Sequence, residues 1–389
     1  MKDRKMEVVT NLKAKYKSEE SKIKIAVGPG RANLIGGHTD YNMGFVLPCA
    51  LDKDIILAAA PNQTDKVNLF SLNLNNAVSF SLDDLKFKRE DDWANYAKGI
   101  CYYLKEAGHE IGGIDGVLHG TVPIGGGMSS SAALETSVGY IFQLLFNLDI
   151  PPLDLIKIAF RAEREFVGVQ CGIMDQYVSV AGVKNSVIFI DCRSLDHEVI
   201  KMPSDEVSVV ILHTNIKRAA GSALNDRKNE CFEAVKILQK HDSKIEALRD
   251  VTPEFFEKYK GELPKILQQR AEHVIYENQR VIDAKQALLK GDLELLGKLM
   301  LESHQSLTDL YGVGIQELDA MIKISRAVPG VIGSRMTGAG LGGAVVSLVE
   351  KASMDELMKE VLEVYPKLTN KQPLIYNCTI SDGVKEISL

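Results

Sequence analysis

Lysine alternates with isoleucine and then gives way to an apolar run in KIKIAVG (residues 22–28), the pattern of a strand with one buried face. The residues before it, 3–20, read as a polar helix. Beyond a stretch rich in charge and glycine, FVLPCALDKDIILAAAP (45–61) and KVNLFSL (66–72) read as further strands. In DDWANYAKGICYYLKEAG (91–108) the period changes. Trp93, Tyr96, Ile100, Tyr103 and Leu104 recur at steps of three and four, and Gly108 stands where the helix should stop. GIDGVLHGTVP (113–123) is a strand that runs into a glycine loop, and SSSAALETSVGYIFQLLFNL (129–148) is the long helix beyond it. PPLDLIKIAFRAEREFVG (151–168) opens a second helix with a proline pair. NSVIFIDCRS (185–194) and VSVVILHTN (207–215) are strands joined by a polar turn region, and residues 218–328 are mainly helical. GVIGSRMTGAGLGGAVVSLVE (330–350) and PLIYNCTISD (373–382) return to glycines and strands.

Strands and helices mix without steady βαβ alternation, so an α+β fold is expected. The 389 residues exceed the roughly 250–300 at which one core stops growing, which implies two domains, 1–205 and 206–389. Hydrophobic residues at 45% and charged residues at 25% describe an ordinary globular chain. A net charge of −6 argues against a nucleic-acid partner, because binding a phosphate backbone needs a surplus of Lys and Arg. The six cysteines form no CxxC pair and read as reduced thiols. The charged N-terminus lacks an apolar leader and the longest apolar stretch, 138–148, is too short and polar to span a bilayer, so a cytoplasmic protein without a membrane partner is expected.

The most informative segment is PIGGGMSSSAALE (123–135). Glycines let the backbone turn sharply and aim its N–H groups, and a serine-rich helix start adds free donors and the positive dipole end. A phosphate is the natural guest, although a tight turn capped by Ser129 would give the same residues. The segment matches neither GxxxxGK[ST] nor GxGxxG nor GxSxG. Phosphoryl transfer also needs a metal held by oxygens and a group that orients the acceptor hydroxyl. RAEREFVGVQCGIMDQYVSVAG (161–182) offers Glu163 and Glu165 on a helix, each readable as a solvated face, and Asp175 in an apolar setting. An unpaired buried carboxylate is costly, so Asp175 requires a partner, and Arg31 is the candidate. Within GRANLIGGHTDYNMG (30–44), Asp40 is suited to accept from two neighbouring sugar hydroxyls or to pair with Arg31. His38 is a sugar ligand or a partner for a backbone carbonyl.

These residues resemble a known family. GRANLIGGHTDYNMGFVLP (30–48) looks like the galactokinase signature, PIGGGMSSSAALE like the phosphate loop of the galacto-, homoserine, mevalonate and phosphomevalonate kinases, and GSRMTGAGLGG (333–343) like their third motif. CGIMDQ (171–176) is similar to the segment carrying the catalytic aspartate. The resemblance implies a two-domain α+β fold with its active site between the domains, and ATP- and Mg²⁺-dependent phosphorylation of a monosaccharide at its C1 hydroxyl. Galactose is the default, arabinose or galacturonate the alternative, and a non-catalytic sugar sensor a further one. It implies Asp175 and Arg31 as catalytic groups, with Gly37, His38, Asp40, Gly172 and Leu224 on the sugar. The backbone of Gly125, Gly126, Gly127, Met128, Ser129 and Ser130 would wrap the phosphates. Ser131 and Glu163 would hold magnesium, Trp93 and Tyr96 would lie on the adenine side unless they are helix core, and 338–343 would close near the acceptor. A monomer or weak dimer is expected. Two departures bear on the sugar: galactokinases usually carry glutamate at the position of Gly37, near the C6 hydroxyl, and tyrosine at that of Leu224, near the C4 hydroxyl.

Overall fold

The computed structural model describes residues 2–216 and 220–389, with backbone alone for 220–223. Helix α1 (Lys2–Tyr16) leads into β1 (Lys24–Asn33), β2 (Phe45–Val46) and β3 (Pro48–Pro61). The hairpin β4 (Lys66–Ser71) and β5 (Asn76–Ser81) follows, then α2 (Ala94–Glu106) and β6 (Ile114–Gly120). Helices α3 (Ser130–Phe146), α4 (Pro152–Arg161) and α5 (Met174–Ala181) precede β7 (Ser186–Asp191) and β8 (His197–Lys201). Next come β9 (Val207–His213), α6 (Ala220–Leu238), α7 (Pro253–Tyr259), α8 (Lys265–Lys290), α9 (Leu293–Asp309) and α10 (Gln316–Ala327). The chain closes with β10 (Val331–Thr337), β11 (Ala344–Glu350), α11 (Met354–Thr369), β12 (Leu374–Cys378) and β13 (Lys385–Glu386).

Six strands form the first sheet, in the order β13-β1-β3-β6-β4-β5, antiparallel except for the β4–β6 pair. The two-residue side-chain period explains why β3 reads as an unbroken apolar run. Ile56, Ala58 and Ala60 face Val8, Val9 and Leu12 of α1, while Ile55, Leu57 and Ala59 face the large core beneath α2, α3 and α4. The second sheet, β10-β11-β9-β12, is divided in the same way. Val209 and Ile211 of β9 join that same large core, and Val210 and Leu212 pack with α6, α10 and α11. The 26-residue α8 serves both cores, Val274 and Ile275 on one and Val281 and Ala284 on the other. A third, three-stranded sheet, β2-β7-β8, completes the α+β arrangement expected from the sequence.

Two local features position the site. A register shift between Pro29 and Arg31 in the β1–β3 ladder re-aims the end of β1, and the Arg31 N–H donates to the carbonyl of Met128 at 2.9 Å. After α4 the helix widens into a π turn (Ala162–Val167) instead of continuing as α to residue 168. That turn buries Glu163 and leaves Glu165 exposed, bonded to Arg161 at 3.1 Å and Tyr103 at 3.0 Å. The solvated-face reading therefore holds for Glu165 and fails for Glu163. The strand β8 lies within the segment read as a turn; its HEVIK residues are mostly exposed, so no apolar alternation marks it.

Candidate active site

A cleft of about 640 Å³ is lined by the loop after β1, the glycine loop before α3, the segment before α5, the start of α6 and the turn after β10. Arg31 joins its parts. Its Nε donates to Asp175 Oδ1 at 2.7 Å and its Nη2 to Asp175 Oδ2 at 2.6 Å, a bidentate fork. Its Nη1 donates to the carbonyl of Gly127. One buried guanidinium thus locks the aspartate against the glycine loop, and the partner found for Asp175 is the one its apolar setting demanded. Arg31 does not pair with Asp40.

In the loop itself, Gly125 and Gly127 take φ of +72° and +85°, and Ser129 enters α3 at φ +56°, a conformation that disfavours a side chain. The Ser129 side chain does not cap the helix, so the tight-turn reading loses its cap and the first N–H groups of α3 stay open. Ser131 and Glu163 both line the cleft. Burial, then the charge of Asp175, raises the Glu163 carboxyl to about 7. Gln176 donates through Nε2 to both Glu163 and Glu135, and burial followed by Glu163 drives the Glu135 carboxyl well above the usual range. Three acidic side chains converge here with one neutral amide between two of them.

Asp40 lies against Gly172: a Cβ at that glycine would stand 2.0 Å from Asp40 Oδ2. Burial and the nearby Asp175 raise the Asp40 carboxyl to about 6. His38, at φ +63°, places Nδ1 2.6 Å from the Tyr41 hydroxyl and leaves Nε2 unpartnered, so it does not serve a backbone carbonyl. Burial, helped by His273 and Arg335, lowers its imidazole to about 3. Gly36 and Gly37 donate their N–H groups to Glu277 Oε1 at 2.9 and 3.0 Å. Leu224, Gly338 and Ala339 also line the cleft, as does Tyr96. Trp93 does not: it precedes α2 and borders a separate 530 Å³ cleft with Asp91, Asp92 and Lys98, its indole Nε1 unpartnered.

Sequence reasoning missed Glu135, Gln176, Glu277 and Arg335. Glu277 in ENQR and Arg335 in GSRMTG sit among polar or small neighbours and carry no signal, whereas Glu135 and Gln176 carry one, a polar residue within or beside an apolar stretch (AALETSV, MDQYV). A buried charge in such a setting requires a built environment.

Three stretches of the chain match known families. Residues 11–61 match the galactokinase galactose-binding signature, 95–183 the N-terminal domain of GHMP kinases and 284–367 their C-terminal domain. The fold is also shared with the mevalonate kinase of Methanococcus jannaschii, at TM-score 0.67 and 20% identity over 94% of this chain and all of that one. Fold and site together define a kinase of the GHMP class, which uses ATP. The galactokinase of Roseiflexus sp. (strain RS-1) is 42% identical over 93% of both chains. That of Clostridium acetobutylicum is 40% identical over 98% of this chain and 100% of the relative. The crystal structure of Lactococcus lactis galactokinase complexed with galactose superimposes at TM-score 0.93, with 34% identity over 97% and 99% of the two chains. The chain belongs to the galactokinase family. Among the described residues no helix is long and apolar enough to cross a membrane.

Proposed function

We propose that this chain phosphorylates galactose at C1 with ATP and Mg²⁺. The observation that carries the reading is the Arg31 guanidinium held by both oxygens of Asp175 and by the carbonyl of Gly127, which brings an acceptor-side carboxylate and a phosphate-binding loop to one point. The C1 oxygen forms a bond to the γ-phosphorus, the bond from that phosphorus to the bridging oxygen breaks, and ADP leaves. Asp175 receives the hydroxyl proton. Arg31 fixes the Asp175 rotamer and sets positive charge beside the transferring group, where charge develops. Asp40 accepts from sugar hydroxyls, and Gly172 leaves room for that carboxylate.

The backbone of Gly125 to Ser130 and the open end of α3 hold the phosphates. The oxygen donors Ser131 and Glu163 fit Mg²⁺, a hard cation. A divalent charge there also offsets the burial that raises Glu163. When bound, the ion neutralises phosphate oxygens. Tyr96, which lines the cleft, borders the nucleotide; Trp93 faces the separate cleft and is assigned no such role. The division into halves at residue 205, just before β9, belongs to the same proposal. Galactokinase relatives at 40–43% identity favour galactose over arabinose or galacturonate as the principal sugar.

Purified protein with ATP, Mg²⁺ and a sugar panel tests this through ADP release and phosphorus NMR of the product. Galactose is expected to turn over fastest; a rate no higher than that of glucose or arabinose overturns the assignment. Asp175→Asn is expected to lower kcat by about 10²–10⁴ while the protein stays folded, its melting temperature reduced by no more than a few degrees because Arg31 loses its ionic partner. Activity within tenfold of the parent removes Asp175 from the proton transfer.

A further inference from the structure

Beneath the cleft lie two polar side chains that the reaction above leaves unused. Glu135 on α3 and Gln176 on α5 are both 0% exposed, and neither lines the cleft. Gln176 Nε2 directs one N–H to Glu135 Oε2 at 2.9 Å and the other to Glu163 Oε2 at 2.5 Å. The opposite amide orientation would set a carbonyl oxygen between two carboxylates, so the amide is fixed this way round. Its own Oε1 has no donor, and neither has Glu135 Oε1. An amide placed only to satisfy the interior would have both of its ends matched, because a buried carbonyl left without a donor is costly. This one matches only the end that grips the carboxylates.

The helices that carry the pair are tied together at the same level. Thr136, next to Glu135, and Ser179, one turn beyond Gln176, meet through their hydroxyls at 2.8 Å, and Ser179 Oγ donates to the Pro29 carbonyl at 2.7 Å. Gln176 therefore projects from a rigid base. Glu163 stands instead on the π turn, where the backbone departs from the helix before it. Its carboxylate lines the cleft, while its Oε2 is held from the buried side. A carboxylate that binds a cation needs one orientation, and a hydrogen bond from the interior supplies it. The acceptor side does not depend on this bond, because Asp175 has its own bidentate hold on Arg31.

We propose that Gln176, anchored by Glu135, is the positioning residue of the magnesium site: its amide holds the Glu163 carboxylate in the orientation that receives the ion, and its loss weakens the metal while sparing the phosphate loop and the sugar pocket. The inference rests on the reading of Ser131 and Glu163 as the magnesium donors.

Titration calorimetry of ADP binding, once with Mg²⁺ and once in EDTA, provides the test. Gln176→Met keeps the length of the side chain and removes both N–H donors. Mg²⁺ tightens ADP on the parent, and Gln176→Met is expected to lose about tenfold or more of that gain while its affinity in EDTA stays within about threefold of the parent's. Kinetics should divide in the same way, with the activation constant for Mg²⁺ rising about tenfold or more and KM for galactose moving less than about threefold. Glu135→Gln leaves an oxygen for the Gln176 amide and is expected to keep most of the Mg²⁺ gain. Should Gln176→Met fail to fold, Glu135→Leu, which takes away the anchor, is expected to lose about fivefold or more of it with the EDTA value unchanged. The inference is overturned if Gln176→Met retains the parent's Mg²⁺ gain, or if ADP weakens equally with Mg²⁺ and in EDTA, the mark of a purely structural role. A parent whose ADP affinity ignores Mg²⁺ strikes the magnesium assignment itself, and the inference with it.

Discussion

Glu277→Gln isolates the network that holds the sugar-side loop. The Glu277 side chain is fully buried and accepts from Gly36 N–H, Gly37 N–H, Ser303 Oγ and Arg280 Nε. Burial alone would raise its carboxyl, but Arg280, His273 and Arg335 hold it far below the ordinary range. Hydrogen bonds to a charged group contribute about 1 kcal/mol more than neutral ones, so four of them put the loss near 4 kcal/mol. The figure agrees with the roughly 3–5 kcal/mol lost when one partner of a buried ion pair is removed. At about 2.1 cal/mol/K per residue, 389 residues give an unfolding entropy near 0.8 kcal/mol/K, and the melting temperature should fall by about 5 °C. Because the folded carboxyl is depressed, this contribution is present above the unfolded value of about 4.3 and fades as pH falls below it. The gap between parent and variant should therefore narrow in acid. KM for galactose should rise with it, since Gly36 and Gly37 precede His38 and Asp40 in the same loop. Calorimetry from pH 8 to pH 4 and steady-state kinetics measure both. A melting temperature lowered by less than about 1 °C, with KM unchanged, refutes the reasoning.

Gly172→Ala places a methyl group where Asp40 Oδ2 now stands, so it should raise KM for the sugar by about tenfold or more and leave KM for ATP nearly unchanged. A parallel rise in both constants would place the glycine's role elsewhere. Burial raises Asp40 to about 6, and only the ionised carboxylate accepts from two sugar hydroxyls with both oxygens, so kcat/KM for galactose should fall by up to about tenfold per pH unit below 6. Its raised folded value means that the native state holds the extra proton, so stability is lost as pH rises through 6. Asp40→Asn should thus be inactive and, at pH 7, more heat-stable than the parent; a lower melting temperature contradicts this.

What was legible in the sequence was local. The glycine–serine loop announces itself because left-handed turns and open helix starts require those residue types where they occur. The Arg31–Asp175 pair was legible for a different reason, since a lone aspartate between Met174 and Tyr177 cannot be buried without a cation. Glu163 and Glu165 look alike in the chain because a regular helix through 151–168 treats both as surface; only the π turn separates them, and nothing in AEREFV announces the extra residue in that turn. The network around Glu277 was hidden by distance, as its members lie at 36–37, 277–280, 303 and 335 and each alone resembles a solvated polar position. Gly37 shows the same limit from the other side. Its meaning in sequence is a missing carboxylate, whereas in the fold its bare Cα is the gap filled by a guanidinium from a strand nearly three hundred residues away. A position without a side-chain acceptor has a guanidinium donor packed against its bare Cα instead.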